Sequence, residues 1–330
     1  MIATPTPPAV YRAPKWLPGG HAQTIYPLLI KPEAPAYWRE RWETPDGDYI
    51  DLDWNEAPGL VAGDRDTPLV ALFHGLEGNS NSHYAISLMR AFSVVGWDAA
   101  LVHFRGCSGQ INRLPRAYHS GDSEEIDWIL RRLKQHFPKR PLYALGVSLG
   151  GNALLKWLGE RESHAADLIL AAAAISAPLD LTACGHHLGR GFNRIYTRHF
   201  LRSLKQNAAA KLQTFPDLFD GERMRSARNL YQFDDVVTAP LHGFADTDDY
   251  WRRASSKPWL TAIRLPTLLL NAQNDPFLPR DALPSRKQHS ATVTTDFPCQ
   301  GGHAGFVSGH LPGHLDWLPQ RILHFFQYEV

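Results

Sequence analysis

Apolar and polar residues follow two different periods along the chain. Short, mostly apolar runs without polar alternation predict buried β-strands. The predicted strands are Leu69–Phe73, residues 99–104, Leu142–Val147, and residues 168–176, 267–271 and 292–297. Tyr49–Trp54 differs, because it alternates apolar with polar residues after a turn-like Pro-Asp-Gly, and it predicts a hairpin or an edge strand.

The intervals between these strands carry apolar residues at helical spacing. They predict helices over residues 81–95, 120–137, 149–160 and 314–328. In the second of these, acidic residues open the helix and basic residues follow, as the helix dipole favours. Strands that alternate with helices indicate an α/β fold, with a mostly parallel central sheet and helices on both faces.

The interval between Ser176 and Pro266 breaks this alternation, because it contains no convincing strand. Connections in α/β domains are usually a few residues plus one helix, so this interval predicts a separate helical unit. We expect an N-terminal extension over residues 1–45, a core of residues 46–177 and 259–330, and a helical cap of residues 178–258 inserted in that core. The cap is expected over the carboxyl edge of the sheet, where open α/β sheets bind ligands.

Composition and charge exclude several classes of protein. The 330 residues are 44% hydrophobic and 20% charged, as in ordinary globular proteins, and the formal net charge of +1 gives no reason to expect a nucleic-acid partner. The N-terminus lacks a signal-peptide pattern, and no apolar run is long enough to span a bilayer. Three widely separated cysteines imply no disulfide framework, so we expect a cytoplasmic protein with reduced thiols.

The clearest chemical motif lies at residues 146–151, which read GVSLGG between a predicted strand and a predicted helix. This is the context of the nucleophile elbow G-x-S-x-G, in which a sharp turn exposes a serine hydroxyl at the start of a helix. The small residues around the serine permit the strand and the helix to approach closely. Ser148 is therefore the candidate nucleophile.

A nucleophilic serine needs a base and a group that orients the base. In enzymes with this elbow, the chain order is serine, acid, histidine. His303 lies in a glycine-rich loop after the last predicted strand, and Asp275 follows the strand before it. We expect His303 to take the proton from Ser148, and Asp275 to orient His303 and stabilise its imidazolium.

The remaining part of such a site is an oxyanion hole. Residues 74–78, HGLEG, follow the predicted strand Leu69–Phe73, where these enzymes place one backbone donor. We assign the two donors to the backbone N–H groups of Leu76 and Leu149, each worth about 3–4 kcal/mol of transition-state stabilisation. His74 is expected to brace this loop by hydrogen bonding.

Four motifs together resemble one family. They are residues 74–78 (HGLEG), 103–109 (HFRGCSG), 146–152 (GVSLGGN) and 274–277 (NDPF), supported by residues 20–24 (GHAQT), 118–121 (YHSG), 233–235 (FDD) and 243–244 (GF). The chain resembles the YheT-like (embryogenesis-associated, AB hydrolase 4) branch of the α/β-hydrolases over nearly its whole length. The resemblance implies a carboxylic-ester hydrolase that uses Ser148, Asp275 and His303 as its triad. The relatives in the family that the chain resembles act on short-chain esters and on acylglycerols or phospholipids.

Other chemistry finds little support. Walker A, HExxH and G-x-G-x-x-G motifs are absent from the sequence, and the histidines at 186–187 and 310–314 lack a zinc spacing. Cys107 follows Arg105 closely, but no histidine partner is implied, so catalysis by this thiol is not expected. We expect no cofactor, no metal and no obligate protein partner.

The first half of the cap is basic. Arg194, Arg198 and Arg202 recur every four residues, and no acidic residue occurs from Leu181 to Pro216. Opposite these arginines we expect an apolar set made of Phe192, Ile195, Tyr196, Phe200 and Leu204. Such a helix can lie on an anionic membrane, or it can be a solvated face with its apolar stripe packed on the sheet domain. The acidic second half of the cap can also neutralise the positive charge of the first half.

These observations predict a serine hydrolase that cleaves short-chain or acylglycerol-type esters through an acyl-enzyme on Ser148. The expected partner is a small-molecule or lipid ester. An acyltransferase would use the same triad with an alcohol in place of water. A non-catalytic binding protein that retained the fold is the alternative from another class.

Overall fold

The computed structural model describes residues 10–30, 32–56 and 66–330, so the first nine residues of the predicted extension lie outside it. Within these residues the chain forms one eight-stranded sheet in the spatial order β1-β2-β4-β3-β5-β6-β7-β8. The strands are β1 (Trp38–Glu43), β2 (Tyr49–Trp54), β3 (Leu69–Phe73), β4 (Asp98–His103), β5 (Leu142–Val147), β6 (Ala171–Ile175), β7 (Thr267–Leu270) and β8 (Val293–Asp296).

Helices occupy both faces of the sheet and the segment between β6 and β7. They are α1 (Gly20–Ile25), α2 (His83–Val94), α3 (Ser123–His136), α4 (Leu149–Arg161), α5 (Leu181–Leu188), α6 (Arg194–Thr214), α7 (Gly221–Ser226), α8 (Leu230–Phe233), α9 (Ala239–Leu241), α10 (Thr247–Ala254) and α11 (Trp317–Tyr328). Residues Tyr26–Leu29 continue α1 as a 3₁₀ turn, and a π turn over Asp234–Thr238 joins α8 to α9.

Strands β3 to β8 pair in parallel, and β2 pairs antiparallel with both β1 and β4. Every residue of β3, β5 and β6 is buried, because helices cover both faces. Leu130 and Trp157, from α3 and α4, belong to the core on one face, and Phe92 and Phe325, from α2 and α11, belong to the core on the other. The predicted α/β fold is confirmed.

The predicted hairpin is present, with β1 rather than β2 at the edge of the sheet. Strand β1 lies inside the segment predicted as an N-terminal extension. Its sequence is dominated by charged residues. Two of them, Arg39 and Arg41, form ion pairs with Asp53 and Asp51 of β2 at 2.7 and 2.8 Å. An apolar pattern therefore could not reveal this strand.

The segment between β6 and β7 contains helices and turns but no strand. It has a small core of its own, which includes Leu201, Met224, Phe233 and Val236. We call residues 178–258 the cap; its boundaries stay a prediction. Within the described part of the chain, none of the helices combines the length and the apolar character needed to cross a bilayer.

A buried cation connects the hairpin to the helical layer. Arg105 follows β4 and donates to Glu125 of α3 at 2.7 Å and to Asp48 at 3.1 Å. The Arg105 and Glu125 side chains are 4% and 2% exposed. Burial raises the pKa of Glu125 to about 7, so this carboxylate depends on the guanidinium to remain charged.

We predict that Arg105→Met lowers the free energy of unfolding by about 3–5 kcal/mol, because it removes the cation nearest to the buried carboxylates of Asp48 and Glu125. Urea denaturation followed by circular dichroism measures this change. Arg131→Met is the matched control, since Arg131 pairs with Asp127 at a half-exposed position of α3 and should cost about 1 kcal/mol or less. Equal losses in the two variants would contradict the structural role of Arg105.

Candidate active site

Ser148 is the single residue between the end of β5 and the start of α4. Its backbone has φ 53° and ψ −119°, a conformation that side-chain-bearing residues rarely adopt. Two glycines make this turn possible: a Cβ on Gly146 would lie 2.5 Å from the carbonyl oxygen of Gly150, and a Cβ on Gly150 would lie 2.5 Å from that of Phe73. The turn projects the hydroxyl at the carboxyl edge of the sheet.

The three predicted triad residues meet at this edge. His303 Nε2 lies 2.9 Å from Ser148 Oγ, and His303 Nδ1 lies 2.9 Å from Asp275 Oδ2. Because a carboxylate only accepts, Nδ1 carries the proton and Nε2 is the atom that accepts from the serine hydroxyl. The tautomer that a general base requires is therefore imposed by Asp275.

A backbone donor and three aromatic rings hold this acid and this histidine. The N–H of Phe277 donates to Asp275 Oδ1 at 2.8 Å, which leaves Oδ2 for His303. The Phe277 ring stacks on the imidazole at 3.9 Å, and Tyr196 and Phe200 of cap helix α6 pack against Phe277 at 4.8 and 5.7 Å. The cap and the candidate base His303 are thus connected through one phenylalanine.

The N-terminal helix α1 joins the loops that carry the acid and the base. Gln23 is fully buried, and its Oε1 accepts from the side chain of Asn274 and from the N–H of Gly301, both at 2.9 Å. Thr24 Oγ1 accepts from the N–H of His303 at 2.9 Å. Residues 20–24 are among the motifs that support the family resemblance, but the resemblance assigns no role to them. No local sequence pattern shows that they contact residues almost 280 positions away.

The two predicted oxyanion donors are free to bind a ligand. Among the hydrogen bonds of the described residues, neither the N–H of Leu76 nor that of Leu149 has an acceptor. A Cβ on Gly75 would lie 3.6 Å from Ser148 Oγ, so the Leu76 loop runs beside the serine. Two unused donors next to a nucleophile match the requirements of an oxyanion hole.

His74 braces this loop, as expected. Its Nδ1 donates to the carbonyl of Gly75 at 2.7 Å, and its Nε2 accepts from the N–H of Phe104 at 3.1 Å. Burial lowers the pKa of His74 to about 3, so the ring is neutral and both nitrogens are engaged. Neither nitrogen of His74 is therefore available to a substrate.

Sequence reasoning missed a second brace, formed by Tyr118 and Glu77. The Tyr118 hydroxyl accepts from the N–H of Glu77 at 2.9 Å and donates to Glu77 Oε1 at 2.7 Å. Asn207 of α6 donates to Glu77 Oε2 at 3.0 Å, which connects the cap to the oxyanion loop. Burial raises the pKa of Glu77. The motif at 118–121 was the only sequence signal for this contact.

A cavity of about 150 Å³ opens from the triad into the space under the cap. Leu76, Ser148, Leu149 and His303 lie at its catalytic end. The rest of its wall is mostly apolar, and the larger part of it comes from the cap, including Leu181, Leu188, Leu204, Phe233, Val237 and Leu241. The arrangement can hold an apolar chain whose reactive carbon lies beside Ser148.

The other candidate groups do not assemble into a site. Burial raises the pKa of the Cys107 thiol well above its usual range, so the thiolate that catalysis needs is disfavoured. In the part of the chain that the structure describes, no three His, Cys, Asp or Glu side chains are grouped to hold a metal ion. All three cysteines are free thiols.

Comparisons with known proteins agree with this architecture. A family model described as the alpha/beta hydrolase fold matches residues 68–309. The YheT protein of Escherichia coli (strain K12), named as an esterase, is 41% identical over 92% of this chain and 88% of its own. Phospholipase ABHD3 of Mus musculus is 29% identical over 94% of this chain and 77% of its own.

Similarity to solved structures extends the comparison to the fold. Est1E from Butyrivibrio proteoclasticus superposes with a TM-score of 0.55 at 15% identity, covering 89% of this chain and all of its own. Identity at this level shows the shared fold alone. Taken with the family match and the 41% identity to YheT, it shows that the chain belongs to the YheT-like branch of the α/β-hydrolase fold family and is a hydrolase of that fold.

Proposed function

We propose that the protein cleaves carboxylic esters through an acyl-enzyme on Ser148. One observation carries this proposal: the Ser148, His303 and Asp275 side chains form a continuous chain of 2.9 Å contacts beside two unused backbone donors. Nucleophile, base, orienting group and oxyanion donors are the parts that acyl transfer to a serine requires.

The reaction has two halves. In the first, His303 Nε2 takes the hydroxyl proton while Ser148 Oγ attacks the ester carbonyl, and the N–H groups of Leu76 and Leu149 bind the resulting oxyanion. The tetrahedral intermediate collapses, and His303 gives the proton to the departing alcohol. In the second, His303 takes a proton from water, which attacks the acyl-enzyme. The second tetrahedral intermediate collapses, His303 returns the proton to Ser148 Oγ, and the carboxylic acid is released.

The apolar cavity supports an acyl chain as the group held under the cap. We therefore propose short-chain or acylglycerol-type esters as substrates. The names of two relatives, an esterase and a phospholipase, agree with ester and lipid substrates. We further propose that the enzyme acts in the cytoplasm, on the basis of its unpaired cysteines.

We predict that a fluorophosphonate probe labels the protein and that Ser148→Ala abolishes the labelling, because only an activated serine attacks the probe. Fluorescence of the labelled band on a denaturing gel measures the result. Ser93→Ala is the matched control, since Ser93 is an exposed serine of α2 far from the triad in sequence. Labelling that persists in Ser148→Ala would show that the nucleophile is another residue.

We predict hydrolysis of p-nitrophenyl acetate and butyrate, with kcat/KM about 10-fold higher for butyrate because two further methylenes enter the apolar cavity. His303→Ala should lower kcat by about 10⁴-fold or more. Release of p-nitrophenol measures both. Rates no higher than those of His303→Ala would favour a binding protein, and acyl products formed on an added alcohol in preference to water would favour an acyltransferase.

We predict that Tyr118→Phe lowers kcat about 10-fold with little change in KM, because it removes two hydrogen bonds that hold the oxyanion loop. The same ester assay measures this effect. Tyr231→Phe is the control; its hydroxyl bonds to Asp248 on the exposed side of the cap. A rise in KM with unchanged kcat would assign Tyr118 to substrate binding instead.

A further inference from the structure

The exposed side of helix α6 combines cationic and apolar side chains. Arg194, Arg198 and Arg202 are all exposed, and they lie about 6 Å apart along the helix axis. Ile195 lies among them on the same side and is 49% exposed, and Phe192, just before the helix, is 53% exposed. The expectation that these two apolar residues pack opposite the arginines is wrong, whereas Tyr196 does pack inward.

No acidic group neutralises these arginines. Among the described residues, none of the three forms an ion pair. The acidic second half of the cap satisfies its charges elsewhere: Asp235 pairs with Arg223, and Asp249 pairs with Arg252 and Arg253. The neutralisation considered from the sequence is therefore not found.

A second segment extends this surface with apolar side chains. The His21 ring of α1 lies 4.5 Å from the Phe192 ring and hydrogen-bonds the hydroxyl of Tyr196 at 3.1 Å, so α1 meets the start of α6. Ile25 follows His21 by four residues, which places it one turn along the same side of α1. Leu28 and Leu29 continue from there and are 61% and 70% exposed. We call eight residues the basic-apolar face: Ile25, Leu28, Leu29, Phe192, Arg194, Ile195, Arg198 and Arg202.

We propose that the basic-apolar face docks on an anionic phospholipid bilayer. Guanidinium groups bind phosphate in bidentate fashion, and a helix that mixes arginines with bulky apolar side chains lies in the lipid headgroup region. Exposed leucine, isoleucine and phenylalanine have no counterpart on a nucleic acid backbone, whereas acyl chains accept them. The charge and the apolar character of this face therefore match the same partner.

Two layers of side chains separate the face from the candidate triad. Tyr196, on the inner side of α6, packs on Phe277, and Phe277 stacks on His303. Phe200 and Leu204 of the same helix line the cavity. A docked molecule would hold its catalytic edge near the bilayer surface, where lipid esters reside. Docking is a binding property, and it does not depend on the ester-hydrolase proposal.

Vesicle sedimentation tests the proposal with the full-length protein. Phosphatidylcholine vesicles are compared with vesicles that also contain phosphatidylglycerol, at low and at high salt. We expect binding to the anionic vesicles at low salt and release at high salt, because screening weakens the attraction between arginine and phosphate. The protein remaining in the supernatant gives the partition coefficient.

Replacing Arg194, Arg198 and Arg202 by Gln should lower that partition coefficient about 100-fold. A second variant, Phe192→Ser with Ile195→Ser, should lower it about 10-fold at low salt, because it removes the apolar part of the contact. The matched control replaces three exposed cations elsewhere, Arg90, Arg286 and Lys287, by Gln. It changes the net charge equally and should retain binding; thermal unfolding confirms that every variant is folded.

Several results would overturn the proposal. They are no sedimentation of the wild type with anionic vesicles, or an equal loss of binding in the control variant. Binding of a DNA or RNA duplex without binding to vesicles, read by fluorescence anisotropy, would assign the face to nucleic acid. Self-association that the Phe192→Ser, Ile195→Ser variant abolishes, read by sedimentation velocity, would assign it to a second copy of this chain.

Discussion

The whole site depends on one residue in an unfavourable backbone conformation. Ser148 has positive φ between β5 and α4, a conformation that turns a buried strand into a helix within one residue and exposes the hydroxyl. The turn requires Gly146 and Gly150, because a Cβ at either position would meet neighbouring backbone at 2.5 Å. The same close packing brings Phe73 at the end of β3 against α4, which places the oxyanion loop beside the serine. The strained backbone of Ser148, the need for glycine at 146 and 150, and the position of the oxyanion loop all follow from this one turn.

Hydrogen bonds from distant segments of the chain hold the loops around the triad in place. Helix α1 ties the acid loop to the base loop through Gln23 and Thr24, and neither loop has regular structure of its own to hold it. His74 and Tyr118 hold the oxyanion loop, each with a donor and an acceptor on the same ring or hydroxyl. Loops carry the reacting groups here, while buried hydrogen bonds from distant segments give them the rigidity of a scaffold.

The cap does more than cover the cavity. Its helix α6 contacts the candidate base His303 through Phe277, and it contacts the loop of residues 74–78 through Asn207 and Glu77. One helix therefore touches both parts of the candidate site. The outer side of that helix carries exposed apolar residues and arginines that have no ion-pair partner among the described residues, and the helix itself is joined to the site. This geometry gives the basic-apolar face its significance.

The sequence by itself determined the α/β alternation, the helical character of the long insertion, and the identity of the serine, acid and histidine candidates. These follow from local patterns: hydrophobic period, glycine spacing, and position after a strand. The tertiary structure decided what depends on contacts between distant segments. Strand β1 is polar, and its arginines pair with aspartates on β2, which is far from an apolar pattern. Gln23, Thr24 and Tyr118 matter because folding brings them to loops far away in sequence. Ile195 likewise lies on the exposed side of α6, because the side that carries Tyr196 packs on Phe277. The periodicity of a helix does not show which of its sides packs on another segment.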